Sequence, residues 1–401
     1  LSFSAVAALL WLAHWSRARC AARVALAAHG YMGLLMLPMG GFWFGGGSWL
    51  SAPANLLMVP LVGLYVVPLS LAGVLLYALD LPGHALLWHF AAAPLEVVFA
   101  PAAGRLSDAG LLPLQPDPLT AQLAIAALAL LLIPMCPARK LLLCLFWLPL
   151  LLPLRSAPQV PVLNVLDVGQ GTAVLFRAGE RTLLYDTGGG NPAGANLAQS
   201  VVLPFLQSQG VDAIDTLVVS HGDLDHSAGL DSILRALPVS NVWVGGGRLQ
   251  TPGARRCRAG LAWQWPGQAR FQFLSPGTIK GLSDNDGSCV LRIEVGHRRL
   301  LLAGDIEASQ ERQLVSYWQG GLASELLLVG HHGSKTSTSQ SWLNRVDPKI
   351  ALINNAYGNQ FGHPAPRVME RLEGQGVSVF HTAWDGALEI RLERSRPWQV
   401  T

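Results

Sequence analysis

The sequence predicts a multi-pass α-helical membrane region over residues 1–155, followed by a layered α/β domain over residues 156–401. Three observations carry this. Half of the residues are apolar and only 13% are charged, a balance too hydrophobic for an ordinary soluble protein. The charges are unevenly spread, with 7 Arg or Lys and 4 Asp or Glu before residue 156 and all the others after it. Beyond Arg155, short apolar runs alternate with helical stretches such as 228–237, 308–319 and 365–373, the pattern of stacked strands and helices.

In the first region, apolar runs at roughly 24–40, 55–79, 83–101, 120–135 and 140–154 approach the ~20 residues that a bilayer core requires. The chain opens on Leu1 inside a further apolar run, without an initiator Met or a basic leader, as expected of a fragment with a missing upstream part. "SRARCAAR" (16–23) and "CPARK" (136–140) are its only basic clusters, and four of the proposed spans separate them. Both then lie on one face, which the positive-inside rule makes cytoplasmic, and the last span carries residues 156–401 out of the cytoplasm. Asn55, Pro60 and Pro68 are expected to mark a bent helix facing a bundle, because Pro frees backbone groups that need partners inside protein.

In the second region, strand-like runs end repeatedly on chemistry-bearing residues: "TLLYDTGGG" on Asp186, "DTLVVSHG" on His221, "RLLLAGD" on Asp305 and "ELLLVGHHGS" on His331 and His332. Strand ends favour Asp and Gly in any protein, but four such endings can converge on one site. The densest cluster is "HGDLDH", where His221, Asp223, Asp225 and His226 fall within six positions. Nitrogen and carboxylate donors suit Zn²⁺, Mn²⁺ or Fe²⁺. The competing reading makes the aspartates caps of a helix near Ser227, which explains one Asp and neither histidine. A calcium loop is excluded by the imidazoles. Cysteine is not expected among the ligands: Cys257 and Cys289 stand alone, read as buried free thiols, with a disulfide as the alternative in an oxidising compartment. Net charge gives no pull on polyanions, since the region balances 21 basic against 21 acidic residues. "GARRCR" (253–258) with Trp263 and Trp265 could contact single-stranded nucleic acid or be a hydrated hairpin.

"HGDLDH" resembles the HxHxDH signature of the metallo-β-lactamase superfamily with Asp in place of its second His. Together with "LNVLDVGQG" (163–171), "DTGG" (186–189), "DNDGSCVLRI" (284–293), "LLAGD" (301–305), "VGHHGSKTS" (329–337) and "GHPAP" (362–366), it resembles the C-terminal domain of ComEC-type competence proteins. "SFSAVAALLW" and "SAPANLLMVPLVGLYVVPL" (51–69) are similar to the second half of that family's membrane segment. The resemblance implies a four-layer αββα sandwich and two divalent metal ions, Mn or Zn, between the sheets. It also implies a metal-dependent nuclease acting on DNA taken up during natural transformation.

Carried over residue by residue, His221, Asp223, Asp225 and His226 match the main metal motif, Asp305 the bridging carboxylate, and Asp186 the aspartate that supports the ligands. His363 is a candidate for the last histidine ligand. Where the superfamily has a further histidine, the chain offers Asn285, Asp286 and Ser288, so His331 and His332 are candidates for the vacancy, or one of them for protonating a leaving group. Lys335 is a candidate phosphate contact, and Thr172 stands where the family has an acidic residue. Two cations about 3.5–4 Å apart can activate water and stabilise both oxygens of a phosphodiester displacement, for which Asp225, Asp305, His332 and Lys335 are the expected catalytic residues.

The implied location is the bacterial inner membrane with the C-terminal domain outside the cytoplasm. The implied partners are double-stranded DNA as substrate, single-stranded DNA as product, membrane lipid, and the DNA-receptor and translocation proteins of the competence machinery. Two other readings stand beside this: a channel whose outer domain only guides DNA, and a membrane-anchored hydrolase of a small ester or lactone, for which five spans are excessive.

Overall fold

The computed structural model describes residues 21–44, 47–48, 51–103, 111–112, 118–131, 139–151, 157–192, 194–277, 281–393 and 398–401. It divides into two compact units, Leu1–Leu154 and Arg155–Thr401.

In the first unit, helices Ala21–Phe44, Ser51–Ala78, His84–Ala103, Pro118–Leu131 and Arg139–Leu151 cover the five apolar runs. Among the described residues, one of them is both long and apolar enough to cross a bilayer, Pro53–Ala78, with a mean hydropathy of 2.2 over its best window. The basic clusters at 16–23 and 136–140 and the segment "SFSAVAALLW" lie wholly or partly outside the described residues. Within the long helix, Val62–Val66 is π-helical, between Pro60 and Pro68. A proline lacks the N–H of the regular ladder and crowds the preceding turn, and a widened turn accommodates both. The expected packing of Asn55, Pro60 and Pro68 against a bundle is not seen, since all three are exposed. Leu35, Ala124, Ala127, Leu128 and Trp147 form the buried centre of this unit, and the Trp147 Nε1–H donates to the Ala124 carbonyl at 3.1 Å.

The second unit is built on strands β1 (Val162–Val165), β2 (Val174–Ala178), β3 (Arg181–Tyr185), β4 (Ile214–Val219), β5 (Val239–Val244), β6 (Arg255–Arg256), β7 (Ala262–Trp265), β8 (Ala269–Ser275), β9 (Val290–Val295), β10 (Arg298–Leu302), β11 (Leu326–Leu328), β12 (Ile350–Ile353), β13 (Ser378–His381), β14 (Leu388–Arg391) and β15 (Gln399–Val400). They form two sheets, ordered β15-β14-β1-β2-β3-β4-β5-β6 and β13-β12-β11-β10-β9-β8-β7. β3 to β6 pair in parallel, as do β10 to β13. Parallel strands are covered on both faces and therefore read as continuous apolar runs, as "DTLVV" and "RLLL" do.

Three apolar cores define the layers. Phe176, Tyr185, Phe271, Phe273, Leu291 and Leu300, from both sheets, fill the space between them. Leu314, Trp342, Leu343, Val368 and Leu372 pack the helical segments 308–318, 340–346 and 366–374 on the outside of one sheet. Val202, Leu206, Leu230 and Ile233 do the same on the other. Each fully buried side chain of this size stabilises the fold by about 1.5–3 kcal/mol. The result is the expected helix–sheet–sheet–helix sandwich.

Cys257 and Cys289, read from the sequence as free thiols, are instead joined by a disulfide with a Cα separation of 5.9 Å. β6 and the segment before β9 come from opposite sheets, so only the folded sandwich brings the two cysteines together.

Candidate metal centre

The donors of the second unit come from the C-terminal ends of parallel strands. Asp186 follows β3, His221 follows β4, Asp305 follows β10, and His331 and His332 follow β11, each within four residues of the strand's last residue. In an α/β sheet this is where loops open a crevice, because the helices that follow turn away on the outer faces. Two glycines let the loops close. At Gly304 (φ +58°) an added Cβ would lie 2.8 Å from the Cβ of Ser288, and at Gly171 (φ +148°) 2.5 Å from the Asp225 carbonyl oxygen. His331 and His332 both adopt φ +53°, a backbone strain of about 1–3 kcal/mol each that the surrounding contacts must hold.

One ligand atom each from Asp225, His226, Asp305 and His332 lies within 4.8 Å of the others. The tautomers follow from partners that can only accept. The His226 Nδ1–H donates to Asp186 Oδ2 at 2.8 Å, and the His332 Nδ1–H to the Asn354 carbonyl at 2.8 Å. Both Nε2 atoms therefore face the site, 3.2 Å from one another, with Asp305 Oδ1 3.2 Å from one and Asp225 Oδ2 3.2 Å from the other, each able to give a lone pair to a cation or to carry a second proton. Lone pairs so placed repel unless a proton or a cation lies between them. Asp186 is buried and also accepts from the Ser220 N–H and Oγ–H, so it supports the site without entering it.

A second group adjoins the first across Asp305. His221 Nε2 is buried without a hydrogen-bond partner and faces Asp223 Oδ2 at 3.7 Å and Asp305 Oδ2 at 3.9 Å; His331 Nε2 is 4.0 Å from the same oxygen. An orphaned imidazole nitrogen aimed at two carboxylates fits a cation. The residues present thus fit a divalent cation at the four clustered donors, with further nitrogen and oxygen donors beside it across Asp305, all of types suited to Zn²⁺ or Mn²⁺.

The electrostatics agree. Burial opposes charge on His226, but Asp305 and Asp186 outweigh it and hold its imidazolium well above the ordinary histidine range. Burial likewise opposes charge on Asp305, and the three imidazoles of His226, His332 and His221 hold it well below the carboxylate range. Asp225 is lowered to about 2 against its own burial, through His332 and His226.

Asp223 precedes the short helix Leu224–Ser227 yet makes no side-chain capping bond, so the capping reading fails. Its Oδ1 instead accepts from the Arg248 guanidinium at 2.6 Å, leaving Oδ2 toward His221. Arg248 escaped the sequence reading, as did Asp284, whose carboxylate accepts the N–H groups of Gly222 (2.7 Å), Gly247 (2.6 Å) and Arg248 (2.9 Å). The segment "DNDGS" therefore supplies no imidazole but brackets the ligand loops. Asp284 holds the "HGDLDH" side. Ser288 Oγ accepts from the Asp305 N–H at 3.2 Å, and Asp286 accepts from Glu307 N–H (2.9 Å) and Ser309 Oγ–H (2.6 Å). Thr172 acts through its backbone, its N–H donating to the Asp225 carbonyl at 3.1 Å.

His363 is not among the four clustered donors. Its ring stacks on His332 at 6.4 Å and on Phe361 at 5.8 Å. Lys335 is exposed on the loop after the two histidines. In "GARRCR", Arg256 is spent on the carbonyls of Gly245, Gly246 and Leu249, and Trp265 is buried between the sheets, so this stretch is an edge strand and a crossing between the two sheets, not a hydrated hairpin.

Comparison with known proteins supplies the context. Residues 1–140 match the family described as competence protein, and residues 166–353 match the metallo-β-lactamase superfamily. The chain thus carries a competence-protein segment followed by a metallo-β-lactamase-superfamily domain. It is 34% identical over 98% of its length to Competence protein ComA of Neisseria gonorrhoeae, covering 55% of that protein. It is 38% identical to Recombination protein 2 of Haemophilus influenzae over 58% of this chain and 29% of that one. The chain thus spans about half or less of the length of these relatives. Among solved structures, the metallo-β-lactamase fold protein YhfI from Bacillus subtilis aligns at 12% identity over 55% of this chain and 95% of its own, with a TM-score of 0.36.

Proposed function

We propose that this chain serves DNA uptake, its first unit as part of a multi-pass inner-membrane channel and its second as an extracytoplasmic, metal-dependent phosphodiesterase that cuts incoming DNA. The observation that carries the hydrolytic reading is the convergence of the His226, His332, Asp225 and Asp305 donors within 4.8 Å of one another, with the Nδ1 of His226 and of His332 engaged by acceptors so that each Nε2 faces the site. Two divalent cations held there would polarise a phosphodiester and bring water to reactive acidity near neutral pH. Asp305 would be shared between them, Asp225, His226 and His332 would complete one set, and His221, Asp223 and His331 the other. Asp186 fixes the His226 ring, and Asn354 fixes that of His332. Lys335, exposed beside the site, would neutralise a substrate phosphate, and the leaving oxygen would take its proton from solvent.

The extracytoplasmic placement draws support from the Cys257–Cys289 disulfide, since disulfides persist in oxidising compartments and are rare in the cytosol. Incubating the purified chain with linear DNA, in Mn²⁺ or Zn²⁺ and in excess chelator, tests the reading. Cleavage that needs the cation and is lost in Asp305→Ala supports it. A chain that binds DNA but never cuts it would be the DNA-guiding alternative.

A further inference from the structure

Among the described residues of the second unit, the large apolar side chains left in solvent are not scattered. Tyr357 is 71% exposed, Phe361 59%, Trp384 68% and Leu224 56%; Leu261 and Tyr317 are the others. Leu224 stands between Asp223 and Asp225. Tyr357 and Phe361 lie in the loop after β12, the strand next to the one that delivers His331 and His332, and Trp384 lies in the turn after β13, the strand beyond it. The rings are grouped. Tyr357 and Trp384 meet edge to face at 4.8 Å, while Phe361 stacks on His363, which stacks in turn on His332 of the donor cluster.

These loops are fastened. Thr382 Oγ1 accepts the Asn355 N–H at 3.1 Å and donates to the Asn355 carbonyl at 3.2 Å, tying the two loops together. Asn359 accepts the His363 N–H at 2.9 Å and donates to the Ala356 carbonyl at 3.0 Å. The ring faces are thus presented on a set backbone, which lowers the ordering cost of binding.

We propose that Tyr357, Phe361 and Trp384 form a stacking platform for the unpaired bases of a single nucleic-acid strand whose phosphates lead to the donor cluster. The inference rests on the reading that a polynucleotide is the substrate. The occupant must bring planar apolar groups to the rings and, on the far side of the His363 ring, an anion to a cation-holding cluster, and a nucleotide strand does both. Base–aromatic stacking is indifferent to sequence but needs an unpaired face, so a duplex gains nothing from the platform beyond its frayed ends. Specificity for single strands would then reside in these rings and not in the arginine-rich stretch 253–258.

The test uses the purified chain in detergent and the triple variant Tyr357→Ala, Phe361→Ala, Trp384→Ala. Fluorescence anisotropy reads binding of a short labelled oligothymidylate, an abasic strand of equal length and a blunt duplex, with Mn²⁺ and with chelator, so the result does not depend on cleavage. The variant should bind oligothymidylate at least about tenfold more weakly. It should bind the abasic strand as the parent does and take up Mn²⁺ unchanged by calorimetry, and the single change Trp384→Phe should preserve binding. Unchanged oligothymidylate binding, or an equal loss on the abasic strand, overturns the proposal, as does a loss seen only on anionic vesicles, which would make the rings a membrane contact. If the parent binds by its rings but cuts no DNA, the platform stands and the hydrolytic reading falls.

Discussion

At the scale of single residues, the site was most legible where several donors share one short stretch. His221, Asp223, Asp225 and His226 announce themselves in "HGDLDH", and Asp186, Asp305 and His332 by their place at strand ends. Arg248 and Asp284 were not legible, because each acts on a loop 25 or 62 positions away through contacts that only the fold creates. Their presence changes the chemistry expected of Asp223. Read from sequence, an aspartate there makes the site more negative and favours manganese and an alkaline optimum; the Arg248 guanidinium on its outer oxygen returns part of that charge. The pair is exposed and contributes at most about 1 kcal/mol to stability, so its effect is on orientation.

Two predictions belong at this scale. Asp186→Asn should weaken Mn²⁺ or Zn²⁺ binding about 10–100-fold by calorimetry, since the His226 ring loses the acceptor that fixes its tautomer. The second concerns pH. In the cation-free chain His226 has a raised pKa, so its contacts stabilise the fold fully below the ordinary histidine value of about 6.5 and lose that contribution as pH rises through the raised value. A cation must displace the same proton. Over that window the Tm of the cation-free chain should fall with rising pH while divalent affinity increases, with protons released on binding.

At the scale of elements, strands β3, β4, β10 and β11 were readable as apolar runs because parallel strands are buried on both faces. What escaped was the meaning of "DNDGS", which looked like a defect in a ligand set. In the fold it is a bracket, Asp284 on one ligand loop and Ser288 with Asp286 on the other. Asp284→Ala would leave the Gly222 N–H without its acceptor and release the Gly247–Arg248 turn. A destabilisation of about 1–3 kcal/mol is expected in chemical denaturation of the second unit, together with weaker divalent binding. Asp284→Asn, which keeps one acceptor oxygen, should recover part of both. The π-helical turn at Val62–Val66 is a further local feature that Pro60 and Pro68 foreshadowed, although the exposure of both prolines was not foreseen.

For the molecule as a whole, the contacts divide the chain into Leu1–Leu154 and Arg155–Thr401, and the sequence reading drew its boundary from the uneven charge distribution alone. The Cys257–Cys289 pairing stood in the sequence reading only as the alternative to free thiols, because the partners sit 32 positions apart with no spacing signature and meet only when the two sheets close. The same disulfide argues, independently of the basic loops, for an oxidising surrounding. A reporter active only in the cytoplasm and fused at Thr401 should therefore be silent, and activity would place the second unit inside. The central claim is that strand ends from both sheets build one site for two cations. Its most direct measurement is the number of Mn²⁺ or Zn²⁺ ions bound per purified chain, by calorimetry with elemental analysis. Two ions per chain, both lost or greatly weakened in Asp305→Ala, is the predicted result; no bound ion, or a stoichiometry indifferent to Asp305, would contradict it.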